Sequence, residues 1–304
     1  DGTADDMEVL AKVTFTKHQL YEIVKKTNGC IVWGGSVNIA PADDLLIHVE
    51  KPLMFESFDK IIVSIMAKKL AFGSNHVIID LPYGPHVKIH DKKDANILKR
   101  KFEYLASRFN IKIKVLEHET LEPVGRGIGP ILECRDALQI LEQTPDRAFD
   151  LEKRALHLAG ELLHLCLEDV RAHEKKMIQD EFGSAENWAR HILTSGAAHK
   201  KMMEIIKAQG GSPHVKSAHL LPGKIHHEVI ASKRGTVTHI NSIQATAIAK
   251  ILGAPKYKKA GIHFHKKVGD DVKKGDVLYT LYSETMYTMK EAKESISYLP
   301  ILSL

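Results

Sequence analysis

The chain of 304 residues predicts an α/β fold followed by a smaller α+β subdomain, and three observations carry that expectation. Helical and strand-like segments alternate between Thr16 and Leu141. An almost wholly helical stretch then runs from Asp150 to Gly210, its Leu and Met residues spaced as a core stripe. Beyond the breaker cluster Gly210-Gly211-Ser212-Pro213 the pattern changes to short strands and turns. The expected division is therefore 1–212 and 213–304, with about 36–72 packing against a small helical part.

Composition excludes several classes. Hydrophobic residues make up 44% and charged residues 27%, enough for a sizeable core. No apolar run approaches the roughly 20 residues that cross a bilayer, and the acidic start DGTADDMEVL has no signal-peptide apolar region. Cys30, Cys134 and Cys166 are odd in number and form no CxxC pair, which suits reduced thiols in a cytoplasm. The net charge of +5 comes without a Lys/Arg run interleaved with aromatics, so nucleic acid is not an expected partner. A modest positive balance suits a phosphate-bearing substrate.

From the N-terminus, Gly2 and Thr3 open a short acidic helix. Thr16 with Gln19 three residues on is a capping box for a helix through Leu20, Ile23 and Val24, ended by Asn28-Gly29. Cys30 to Trp33 is expected as a short buried strand. The loop Asn38 to Asp44 carries adjacent carboxylates, Asp43 and Asp44, either of which also suits a helix cap. Asp94 to Phe109 is helical by period, Ile111 to Leu116 is a strand, and Val124 to Pro130 is a glycine-rich turn into a helix over Ile131–Leu141. That GRGIG run lacks dinucleotide spacing, and a tight strand-to-helix turn accounts for it better than a phosphate cradle. Val229–Ser232 and Gly235–Thr238 read as paired strands, and Ala245–Leu252 as a helix. The run VGDDVKKGDVLY resembles the hammerhead turn of biotinyl/lipoyl-type barrel-sandwich domains, without a lysine in a carrier's modification context. A carrier or ligand-binding module is the non-enzyme alternative that this tail raises. His263 and His265 share one strand face, but no third ligand lies nearby, and no metal is expected.

The most informative stretch is Ser64 to Ile89. Ser64 and Lys68 are four residues apart, hence on one helix face. Gly73-Ser74-Asn75 stops that helix, and His76 to Asp80 is expected as a strand buried on both faces. The turn Pro82-Tyr83-Gly84-Pro85 and Lys88 follow. A helix bearing a hydroxyl and an ammonium, feeding a strand that ends in a Gly/Pro loop, suits a site at a sheet's carboxyl edge. A Lys-Lys pair late in a helix equally complements the macrodipole as a solvated end.

Taken together, GTADDMEVL, NGCIVWGG, NIAPADDLLI, SIMAKKLAFGSNHVIIDLPYGP and GRGIGPILECRDAL are collinear and specific. The chain resembles the thymidine/pyrimidine-nucleoside phosphorylase family, in the branch with the AMP phosphorylases. That resemblance implies a homodimeric pentosyltransferase with a small helical domain and a large α/β domain around a mixed sheet. It implies phosphate as co-substrate, no cofactor, and a nucleoside or nucleotide cleaved to base and sugar 1-phosphate. Ser64 and Lys68 match the positions that hydrogen-bond the base, and Thr3, Ser64 and Lys88 match substrate-binding positions of AMP phosphorylases. Glu56 aligns with their general-acid Asp, and His48 stands where arginine is usual. The family's glycine-rich phosphate loop and a Ser/Thr loop lie upstream of Gly2, so a missing N-terminal segment is expected and this chain alone should be inactive.

Overall fold

In the computed structural model, which describes residues 2–37 and 58–304, the fold is built outward from one βαβ unit. Helix α3 (Phe58–Ala71) leads into strand β1 (His76–Tyr83), helix α4 (Lys92–Arg108) and strand β2 (Lys112–Glu119). β1 and β2 pair in parallel from His76↔Lys112 to Tyr83↔Glu119. Parallel neighbours need a crossover, and α4 supplies it. Asp91 caps α4, its Oδ1 accepting from the Asp94 amide at 2.9 Å. Gly73 ends α3 at φ +68°, a conformation glycine adopts without strain. The core here joins Val77, Ile79 and Leu81 to Leu98 and Phe102 of α4 and to Ile62 and Met66 of α3. Burial along β1 alternates rather than being complete on both faces: Val77, Ile79 and Leu81 are buried while Asp80 is exposed. Among the described residues β1 and β2 form a sheet of two strands, so the second face has only the partial cover of neighbouring helices.

Helix α1 (Thr3–Met7) and helix α2 (Lys17–Thr27) precede this unit. The expected capping box forms, Thr16 Oγ1 accepting from the Gln19 amide, and Asn28 closes α2 at φ 56°. Cys30 to Trp33 is not a strand. Its polar backbone is served otherwise: Ile31 N–H donates to Gln209 Oε1 at 2.8 Å, and Trp33 N–H donates to the Val13 carbonyl. Gln209 Nε2 donates in turn to the Lys12 and Ile31 carbonyls, pinning two loops with one buried amide. Helix α5 (Pro130–Glu142) follows the glycine-rich turn, and α6 (Phe149–Cys166), α7 (Ala172–Phe182), α8 (Ala185–Thr194) and α9 (Ala197–Ala208) form the helical stretch read from the sequence. Met7, Leu132, Leu138 and Ile206 knit α1, α5 and α9 into a second core.

The last third is antiparallel. Strand β3 (Gly127–Ile128), β4 (Ile225–Ile230), β7 (Gly261–Phe264) and β9 (Val277–Ser283) make a sheet in the order β3-β7-β9-β4. Strand β5 (Gly235–Thr236) pairs β8 (Asp271–Val272), and β6 (His239–Ile240) pairs β10 (Leu302–Ser303). The expected pairing of Val229–Ser232 with Gly235–Thr238 does not occur. β9, mostly buried, offers both edges to longer partners and takes β4 and β7. Helices α10 (Ser242–Leu252) and α11 (Met286–Ser295) pack on this sheet around Ile262, Phe264, Leu281 and Ile248.

Candidate active site

The carboxyl ends of β1 and β2 point at a cleft, where open parallel sheets place ligands. One compartment, about 720 Å³, is walled by Ile61 and Ile65 of α3, Leu81 of β1, His86 to Ile89 of the following loop, and Ile243 and Ala247 of α10. Its lining is overwhelmingly apolar, so a flat, weakly polar group is dehydrated on entering it. A second compartment, about 450 Å³, shares Asp80, Pro82, Val87, Ser242 and Thr246 with the first and adds carboxylates from Asp6, Glu133 and Asp136.

Of the residues singled out from the sequence, Lys88 lies on the apolar compartment's wall. Ser64 and Lys68 share a face of α3 as their spacing predicts, with Lys68 Nζ 3.5 Å from Ser64 Oγ. Both are half-buried. Each follows a wall residue by three positions, Ile61 and Ile65, so the pair occupies the strip of helix beside the wall rather than the wall itself. Thr3 is exposed at the start of α1 and lines neither compartment. Glu56, Asp43, Asp44 and His48 fall outside the described residues.

The acidic compartment was not anticipated. Asp6, one turn beyond Thr3 on α1, has a buried Oδ1 without a hydrogen-bond partner. Burial, and then the nearby charge of Glu133, push its carboxyl up to about 7. Asp80, in the carboxyl half of β1, also lines this compartment and pairs with Arg154 of α6, and Arg154 Nη2 donates to His118 Nδ1 at 2.5 Å. His118 Nδ1 also stands 3.2 Å from Asp80 Oδ1, so the imidazole, the guanidinium and the carboxylate meet at one point. In the sequence, Asp6 sits inside the GTADDM run, and its adjacent acids were the available signal. Asp80 and Arg154 are 74 positions apart, and no local pattern joins them.

The GRGIG turn proves structural. Asp136 Oδ2 accepts from both the Arg126 and Gly127 amides at 2.7 Å, and Asp150 Oδ2 accepts from the Gly125 amide at 3.1 Å. These amides are already engaged by carboxylates and cannot cradle a phosphate. Among the described residues no group of three or more His, Cys, Asp or Glu is arranged to hold a metal ion, and no helix is long and apolar enough to cross a membrane.

Residues 236–298 match the pyrimidine nucleoside phosphorylase C-terminal domain. The chain is 42% identical over 282 residues to a protein of Albidiferax ferrireducens named "Putative thymidine phosphorylase", covering 93% of this chain and 52% of that one. A protein of the same name from Rhodopseudomonas palustris strain BisA53 is 40% identical over 301 residues, covering 98% and 56%. One from Legionella pneumophila strain Corby is 39% identical over 284 residues. The chain thus spans about half the length of the curated relatives it matches. The domain match and a likeness extending over nearly the whole length of the chain converge: the chain belongs to the thymidine/pyrimidine-nucleoside phosphorylase family.

Proposed function

We propose that this chain is the C-terminal, base-binding portion of a cytoplasmic, homodimeric nucleoside phosphorylase that cleaves thymidine to thymine and 2-deoxy-D-ribose 1-phosphate. A phosphate oxygen attacks C1′, the C1′–N1 bond breaks, and its electron pair leaves with the base. The transition state is cationic at the sugar and anionic at the base, so catalysis needs a fixed positive group beside the departing ring. Lys68 is that group in this reading, with Ser64 donating to the base alongside it. The observation that carries the proposal is the shared turn of α3, where the Lys68 ammonium and Ser64 hydroxyl stand 3.5 Å apart beside the apolar wall of Ile61 and Ile65. A wall of this kind dehydrates the base and strengthens the pull of the ammonium. Lys88 holds the sugar or its phosphate at the far side, Thr3 contributes to substrate binding, and Glu56 protonates the leaving base where protonation is required. Phosphate comes from solution, and its cradle from the segment that precedes Gly2 in the family.

A second reading, AMP phosphorolysis to adenine and ribose 1,5-bisphosphate, is favoured by Glu56, because a departing purine benefits from a proton donor. Phosphorolysis by the full-length protein, assayed with thymidine, uridine and AMP, separates the two. Thymine release supports the first reading, and adenine release alone refutes it. Lys68→Ala and Ser64→Ala in that protein test the shared turn itself.

A further inference from the structure

A cluster of arginine and histidine side chains, none of them lining either compartment, lies on the face of the antiparallel sheet that α5 covers. His263 of β7 stands opposite Thr280 of β9 on the face turned from the Ile262–Phe264 core. His265 follows two residues later, its ring 5.0 Å from that of His263 and edge-on to it. Arg135 of α5 reaches His263, and Arg126 of the GRGIG turn, whose carbonyl accepts from the Phe264 amide, is near enough for its charge to act on both rings. Arg135 Nη2 donates to His263 Nδ1 at 3.1 Å. A guanidinium only donates, so the His263 ring is neutral with its remaining proton on Nε2, another donor. Burial first, and the Arg135 charge next, push His263 down to about 3, in keeping with that tautomer. His265 bonds Thr280 Oγ1 through Nε2 at 2.8 Å.

The cluster is short of acceptors. Arg135 Nε is buried with no hydrogen-bond partner. Among the described residues neither Arg126 nor Arg135, both half-buried, is in an ion pair. Asp136 is the nearby acid on α5, but its Oδ2 is committed to two backbone amides. Glu228 is the other, exposed on β4 opposite Thr280 and so on the same sheet face, where its charge acts on His265.

We propose that Arg126, Arg135, His263 and His265 form an oxyanion site on this sheet face, taking a phosphoryl group. Two guanidiniums and a donor imidazole match the three outward oxygens of such a group. Inorganic phosphate and a nucleotide's phosphate share that chemistry.

Imidazole ¹H–¹⁵N correlations of the labelled chain, followed during titration with inorganic phosphate and separately with AMP at constant ionic strength, test it. Saturable shifts of the His263 and His265 signals, assigned with His263→Gln and His265→Gln, are expected in at least one titration. The arm that saturates identifies the source. Arg126→Gln, a half-exposed change, is expected to weaken binding at least tenfold while the melting temperature stays within a few degrees. The same shifts are expected to survive in Lys68→Ala, which separates this site from the proposed base site. Shifts that grow linearly, that chloride reproduces, that persist unchanged in Arg126→Gln, or that vanish in Lys68→Ala overturn the proposal.

Discussion

At the scale of single residues, the proposed reading has Ser64 and Lys68 divide the work of holding and releasing a base. An ammonium that matters chiefly as negative charge builds on the departing ring acts in the transition state. In the full-length protein Lys68→Ala is therefore expected to lower kcat about 100-fold, the usual loss for one electrostatic donor. Ser64→Ala should act mainly on KM, by about tenfold, because a neutral hydrogen bond is made in ground and transition state alike. Steady-state kinetics on the two variants check the split, and equal effects on both parameters in both variants would speak against it. Asp6 makes a different prediction, in pH. Its carboxyl is raised from 3.8 to about 7, so the folded state holds the proton more tightly than the unfolded chain. The stability this contributes is full below about pH 4 and is lost as pH rises through 7. The whole difference corresponds to about 4 kcal/mol, and because Asp6 is only half-buried, water reduces the expected loss to about 2 kcal/mol. Urea midpoints for the native chain and Asp6→Asn at pH 4.5 and 8 should diverge at the higher pH, with the Asn variant the more stable there.

Elements meet at places where one atom decides. In α6, Gly160 faces α8 so closely that an added Cβ would lie 2.8 Å from Glu186 Cα. Alanine improves helix propensity by about 1 kcal/mol, yet here it must force two backbones apart. Gly160→Ala is expected to destabilise by about 1–3 kcal/mol net, read as a melting temperature lowered by several degrees. Two amides of the turn before α5, those of Arg126 and Gly127, depend likewise on one carboxylate. Asp136→Ala strands the Arg126 and Gly127 amides in a buried site, at a cost of about 2–4 kcal/mol. Asp136→Asn keeps an accepting oxygen and should lose much less, a ranking that chemical denaturation of the two variants can reverse or uphold.

At the scale of the molecule, the antiparallel sheet of the last third takes its edge strand, Gly127–Ile128, from far earlier in the chain. Residues 213–304 expressed alone would leave the β7 edge bare and Ile128 missing from the core it packs against. Their unfolding midpoint in urea is expected well below that of the same sheet in the intact chain, followed by hydrogen exchange at β7 and β9. An equal midpoint would show that the tail is independent of β3. On the proposed reading, phosphorolysis is expected from a polypeptide of the relatives' full length and not from residues 1–304 alone, a comparison that a single assay makes.

Local chemistry was legible wherever a short-range rule governed the outcome. The Thr16–Gln19 capping box, the helix through Ser64 and Lys68, the strand after Gly73, the helices from Asp150 to Gly210 and the purely structural GRGIG turn all follow from spacing and backbone preference. Cys30 to Trp33 did not follow, because the groups that satisfy its backbone, Gln209 and Val13, are brought in by tertiary contact. The partners of β4 and β5 depended on which strand had two edges to offer, a property of β9 that its own sequence does not announce. The sequence by itself determined the family, the βαβ unit and the face shared by Ser64 and Lys68, since periodicity and motif act within a few residues. Only the tertiary structure set the apolar cleft against α10, loaded Asp6 with a raised proton affinity and gathered two arginines over two histidines. Burial and charge proximity are sums over residues that the chain holds a hundred positions apart.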